Sequence, residues 1–123
     1  MFNVNLTARE GDGCLIAMLC GELDLLDAQS LTAGLVAMGR AGLPVVVGLG
    51  DLWFVDCRGL HALLCAQTRI RHGGGDLLLA APQNQVMRVL VFSGLRDVFT
   101  VEASVDAAVQ TARIRRRVLT QAR

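Results

Sequence analysis

The sequence predicts an α/β domain built on a mixed, mostly parallel sheet, with an N-terminal hairpin and about four helices. Short, continuous apolar runs such as Val45 to Leu49 and Leu77 to Leu79 read as strands covered on both faces. Between them lie segments whose apolar residues recur every three or four positions, as on one face of a helix. With 123 residues, 53% of them hydrophobic and 19% charged, the chain has enough apolar surface for one core and room for one domain, residues 1–123.

The elements follow in order. Phe2, Val4 and Leu6 alternate with Asn3, Asn5 and Thr7, the period-two pattern of a strand with one wet face. Gly11-Asp12-Gly13 marks a hairpin, and Cys14 to Cys20 returns as a strand buried on both sides, with both cysteines read as small buried apolar groups. Asp24 or Asp27 can cap a helix on which Leu31, Leu35 and Met38 share a face, closed by Gly39 and Gly42. Pro44 opens the strand Val45–Leu49. Leu52 to Val55 leads into Asp56-Cys57-Arg58-Gly59-Leu60, and Leu60, Leu63, Leu64 and Ile70 then mark a helix stopped by Gly73-Gly74-Gly75. Leu77–Leu79 is a buried strand ending before Pro82. Val86, Val89 and Leu90 mark a short helix ending near Ser93-Gly94, Phe99 to Val101 a last short strand, and Ser104 caps a final helix bearing Val105, Ala108, Val109 and Ala112. The order β-β-α-β-α-β-α-β-α implies parallel strands joined by right-handed crossovers, plus one antiparallel edge.

Charge and composition exclude several functions. A net charge of +1 gives no general attraction to nucleic acid or to an anionic membrane. All 12 basic residues are arginine, and Arg113, Arg115, Arg116, Arg117 and Arg123 crowd the last eleven positions; this cluster is read as a solvated helix end in preference to a contact tail for phosphate or an acidic partner, since no aromatic or second basic patch accompanies it. The opening lacks the basic start and apolar stretch of a signal peptide, and no apolar run approaches the roughly 20 residues that span a bilayer. The expected location is the cytoplasm, with the four cysteines reduced.

The series Gly21-Glu22-Leu23-Asp24, the apolar strand ending at Leu49, Asp56-x-x-Gly59-Leu60, the Gly73-Gly74 break, Leu77-Leu78-Leu79 and Gly94-Leu95 resembles the STAS domain over essentially the whole chain. Its stand-alone bacterial members are anti-sigma factor antagonists. The resemblance implies a regulatory binding module, with no enzymatic activity and no cofactor, that docks on an anti-sigma factor with a serine kinase fold and so frees a sigma factor. Docking ends when the kinase phosphorylates a hydroxyl residue just before the Gly of an Asp-Ser-Ser/Thr-Gly-Leu loop. The implied contact residues are Asp24, Asp56, Cys57, Arg58, Gly59, Leu60 and His61.

At the acceptor position this sequence carries Arg58, and Cys57 precedes it where the family has serine. Neither residue takes a serine phosphate, so the expectation is docking without the usual switch, or docking on a different partner. A weak homodimer stays open as a further association. Gly48, where the family often carries an acid, is read as allowing close backbone approach.

Three other readings attach to the same residues. Cys57, at a helix N-terminus beside an arginine, is placed as a redox sensor or nucleophile would be. But a phosphatase loop needs arginine at position 63 and a dithiol motif needs cysteine at 60, and both positions hold leucine. Cys57, His61 and Cys65 share a helix stripe, yet they spread over about 12 Å at 1.5 Å per residue, too far for one metal ion. A STAS subunit of a larger signalling or transport assembly is the remaining alternative. Trp53 and Phe54 precede the loop, and strand alternation turns one of them outward, as an interface anchor, and the other into the core.

Overall fold

In the computed structural model, residues 4–11 and 13–121 are described. Strands β1 (Val4–Gly11) and β2 (Cys14–Leu23) are followed by α1 (Leu25–Gly39), β3 (Val45–Val55), α2 (Cys57–His72), β4 (Leu77–Ala80), α3 (Asn84–Phe92), β5 (Val101–Glu102) and α4 (Val105–Gln121). Phe2, Asn3, Asp12 and Arg123 lie outside the described residues. The five strands form one sheet in the order β1-β2-β3-β4-β5, with β1 antiparallel to β2 and the other neighbours parallel.

The hand of the crossovers dictates the layers. Each of α1, α2 and α3 joins a strand to its next parallel neighbour in the same direction, so right-handed connections put all three on one face. Their buried side chains (Leu31, Leu35, Leu60, Leu63, Ile70, Val86, Leu90) pack with Leu19, Val47, Leu49 and Leu79 in the main core. Helix α4 follows the last strand and has no such constraint. It covers the opposite face, where Ala108, Val109 and Ala112 meet Cys14, Ile16, Val46 and Leu78. Among the described residues no helix is long and apolar enough to cross a membrane.

Caps and breaks follow the sequence signals. The Ser104 hydroxyl accepts the Ala107 N–H at 3.0 Å at the start of α4. The Gly73 N–H closes α2 onto the carbonyls of Arg69 and Ile70, and Arg69, Arg71 and His72 place cations at that negative helix end. Gly48 differs from its expectation: what a Cβ there would meet is the flexible end of the Met18 side chain and Val105, not another backbone. Arg115 is more than a solvated end: it reaches Asp76 at 3.3 Å and the Thr100 hydroxyl at 2.7 Å, tying α4 to the β4 and β5 approaches.

Three further expectations need correction. First, β3 does not stop at Leu49 but runs eleven residues to Val55. It pairs with β2 throughout, and twice takes an extra residue. Between the pairs Met18–Gly48 and Cys20–Asp51 it advances three positions against two, and between Gly21–Leu52 and Glu22–Phe54 two against one. Each bulge resets the pleat, so the residues facing the main core fall at Val45, Val47, Leu49, Leu52 and Val55. Second, neither ring of the Trp53–Phe54 pair enters the core; they are 53% and 44% exposed. Trp53 is itself the extra residue of the second bulge, which removes the alternation that would have buried one of the two. Third, Cys14 is buried but Cys20 is exposed. Cys20 continues the side of the sheet that α4 covers, but the residues that α4 packs against there are Cys14, Ile16, Met18 and Val46, with Val105 at its start near Gly48, and Cys20 is not among them.

Candidate functional site

The site lies where β2 and β3 end, the edge of a parallel sheet where loops converge. Leu23 and Val55 are partners in the ladder, and the Asp56 N–H donates to the Leu23 carbonyl at 3.3 Å. The two residues that follow those strands, Asp24 and Asp56, are thereby set side by side, each half-buried.

Asp56 is the N-cap of α2. Its backbone is extended, and its Oδ1 accepts the Gly59 N–H at 2.8 Å, while its carbonyl accepts the Leu60 N–H. This satisfies helix donors that the first turn would otherwise leave open. Asp56→Ala is expected to cost about 1 kcal/mol in a urea melt, and Asp56→Asn to restore most of it. Equal stability of the alanine and asparagine variants would contradict the cap.

The first turn splits into a floor and a surface. Gly59 and Leu60 are buried, Leu60 completely. As contact residues they are therefore corrected: they press the helix onto β2 and β3 and present no side chain outward. A Cβ on Gly59 would stand 2.8 Å from both the Leu23 carbonyl oxygen and Leu23 Cγ, and 3.0 Å from Val55 Cγ2, so only glycine lets the helix seat this closely. Cys57, Arg58 and His61 are exposed, and Cys65 continues their stripe one turn on. Among the described residues no group of three or more His, Cys, Asp or Glu is placed to hold a metal ion. Cys57 shares its exposure with Cys20 and Cys65, and differs from them in being the first residue of α2, beside Arg58.

Two residues that the sequence did not flag brace this end of the sheet. The Gln83 side chain donates to the Gly50 carbonyl at 2.7 Å, and the Gln85 amide donates to the Trp53 carbonyl at 3.2 Å and to Gln83 Oε1 at 2.6 Å. They satisfy carbonyls of the bulged part of β3, where no β4 residue pairs beyond Gly48. No local sequence signal marks them, because their partners are about thirty positions away.

Comparison with known proteins places this arrangement. The family profile of the STAS domain matches residues 5–108. BtrV of Bordetella bronchiseptica is 34% identical over 106 residues, covering 85% of this chain and 91% of that protein. The anti-sigma-B factor antagonist of Bacillus subtilis is 24% identical over 108 residues, covering 88% and 99%. The crystal structure of an anti-sigma factor antagonist from Mycobacterium paratuberculosis superposes with a TM-score of 0.79 at 21% identity, over 89% of this chain and 94% of that one. With the profile spanning most of its length, the chain belongs to the STAS domain family.

Proposed function

We propose that this protein is an anti-sigma factor antagonist that binds an anti-sigma factor of the serine kinase fold without being switched off by phosphorylation. It acts by binding and not by catalysis, and its place of action is the cytoplasm. The contact surface consists of Asp24, Asp56, Cys57, Arg58 and His61, held by the strand ends and the first turn of α2.

The observation that carries the reading is Arg58. It is exposed in the first turn of α2, the position to which the family resemblance assigns the phosphate acceptor. A guanidinium there offers no hydroxyl for a serine kinase to phosphorylate and places a cation at the contact surface. It suits a carboxylate on the partner, by a forked, charge-assisted pair. The other candidate acceptors are Ser30, which is exposed, and Thr32 and Ser93, whose hydroxyls already donate hydrogen bonds. Thr32 donates to the carbonyls of Ala28 and Ala62, and Ser93 to that of Leu90.

Competition tests the reading. An anti-sigma factor from the same genome is loaded with its sigma factor and mixed with this protein, and gel filtration follows the free sigma factor. Release in proportion to added protein supports antagonism. Sigma factor that stays bound at saturating concentrations contradicts it.

A further inference from the structure

The upper part of the sheet face that α4 leaves uncovered carries a second, chemically distinct surface. Strand alternation puts Cys20 and Glu22 on the side of Cys14, Ile16 and Met18, past the start of α4. In the ladder Cys20 is paired with Asp51, and Glu22 with Phe54. Trp53, the chain's only tryptophan, is the extra residue beside Phe54. Two exposed rings and two carboxylates are thus gathered on adjacent strands.

The charge there has one sign. Glu22 and Asp51 are the only charged residues in β2 and β3, and neither forms a salt bridge among the described residues. The braces from Gln83 and Gln85 fix the backbone that carries the rings, so little ordering entropy remains to be lost on binding. An aromatic face next to a carboxylate is a receptor for a guanidinium or ammonium group, which stacks on the ring and pairs with the acid.

We infer that Trp53, Phe54, Glu22 and Asp51 form a docking face for a partner protein segment carrying arginine or lysine among apolar side chains. This face adjoins the Arg58 surface, since Glu22 and Phe54 lie two positions before Asp24 and Asp56, but it carries no basic residue, and it does not depend on the partner being an anti-sigma factor.

Trp53 supplies the probe. The intact protein is titrated with a short peptide alternating arginine and leucine, and with a counterpart alternating glutamate and leucine, while tryptophan emission is followed. The expected result is a saturable change with the basic peptide alone, weakened by added salt. Glu22→Gln/Asp51→Asn, checked for unchanged circular dichroism, is expected to weaken that binding about tenfold, while Arg58→Ala leaves it unchanged. No saturable change, an equal response to the acidic peptide, or unchanged affinity in the double variant would overturn the inference. None of these outcomes bears on sigma-factor release.

Discussion

Gly59→Ala is expected to lower stability by about 2 kcal/mol in a denaturant melt, although alanine is the better helix former. The intrinsic gain of replacing a helical glycine is about 1 kcal/mol. Against it stands overpacking, which costs typically about 1–3 kcal/mol and more where the neighbour cannot yield. Here one of the atoms met at 2.8 Å is the Leu23 carbonyl oxygen, part of the strand backbone that also accepts the Asp56 N–H. It cannot turn aside as a side chain would. The helix must lift from β2 and β3, and the cap at Asp56 and the outward positions of Cys57, Arg58 and His61 move with it. Partner affinity is therefore expected to fall together with stability. A midpoint equal to or above that of the parent protein would show that the close seating of α2 is not required.

Arg58→Asp separates the two properties. Arg58 is exposed in the first turn of α2, so little packing is lost. A carboxylate near a helix N-terminus interacts favourably with the helix dipole, by about 0.3–1 kcal/mol. The fold is therefore expected to hold or to gain slightly in stability. Affinity for the anti-sigma factor is expected to drop by at least about tenfold, because a guanidinium partner is replaced by a repelled charge, as phosphate would do at the same place. Calorimetric titration beside a thermal melt reads both quantities. Unchanged affinity would remove Arg58 from the contact surface.

Much of the architecture was legible because it depends on local pattern. The fully buried run Leu77–Leu79, the stripe Leu60, Leu63 and Ile70, and the Ser104 cap each follow from short-range periodicity or from a single side chain reaching its own helix. Right-handed crossovers then set three helices on one face without any further information. The course of β3 was less legible. Gly50-Asp51 has the composition of a strand end, yet the chain continues because β2 runs alongside and accepts two extra residues in its partner. Bulges are a property of paired strands, and a single strand's sequence does not display them. The exposure of both Trp53 and Phe54 follows from this, as does the face they share with Glu22 and Asp51.

The candidate site shows the same division. The cap at Asp56 and the outward-facing Cys57, Arg58 and His61 are consequences of a helix starting at one readable position. That Gly59 and Leu60 lie beneath the surface depends on how closely α2 sits on Leu23 and Val55, a tertiary fact. The braces from Gln83 and Gln85 depend on the same long-range packing. Cys20 looked like its buried neighbour Cys14 because both lie in an apolar strand, but burial was decided by what α4 packs against.

The central claim is a binder that phosphorylation does not release. The most direct measurement is affinity capture of an anti-sigma kinase from the same genome on this protein, with and without ATP, followed by mass analysis of the captured pair. Equal capture in both conditions, with no phosphate added to this chain, is the predicted result. Capture lost on adding ATP, with stoichiometric phosphate on Ser30, Thr32 or Ser93, would contradict it.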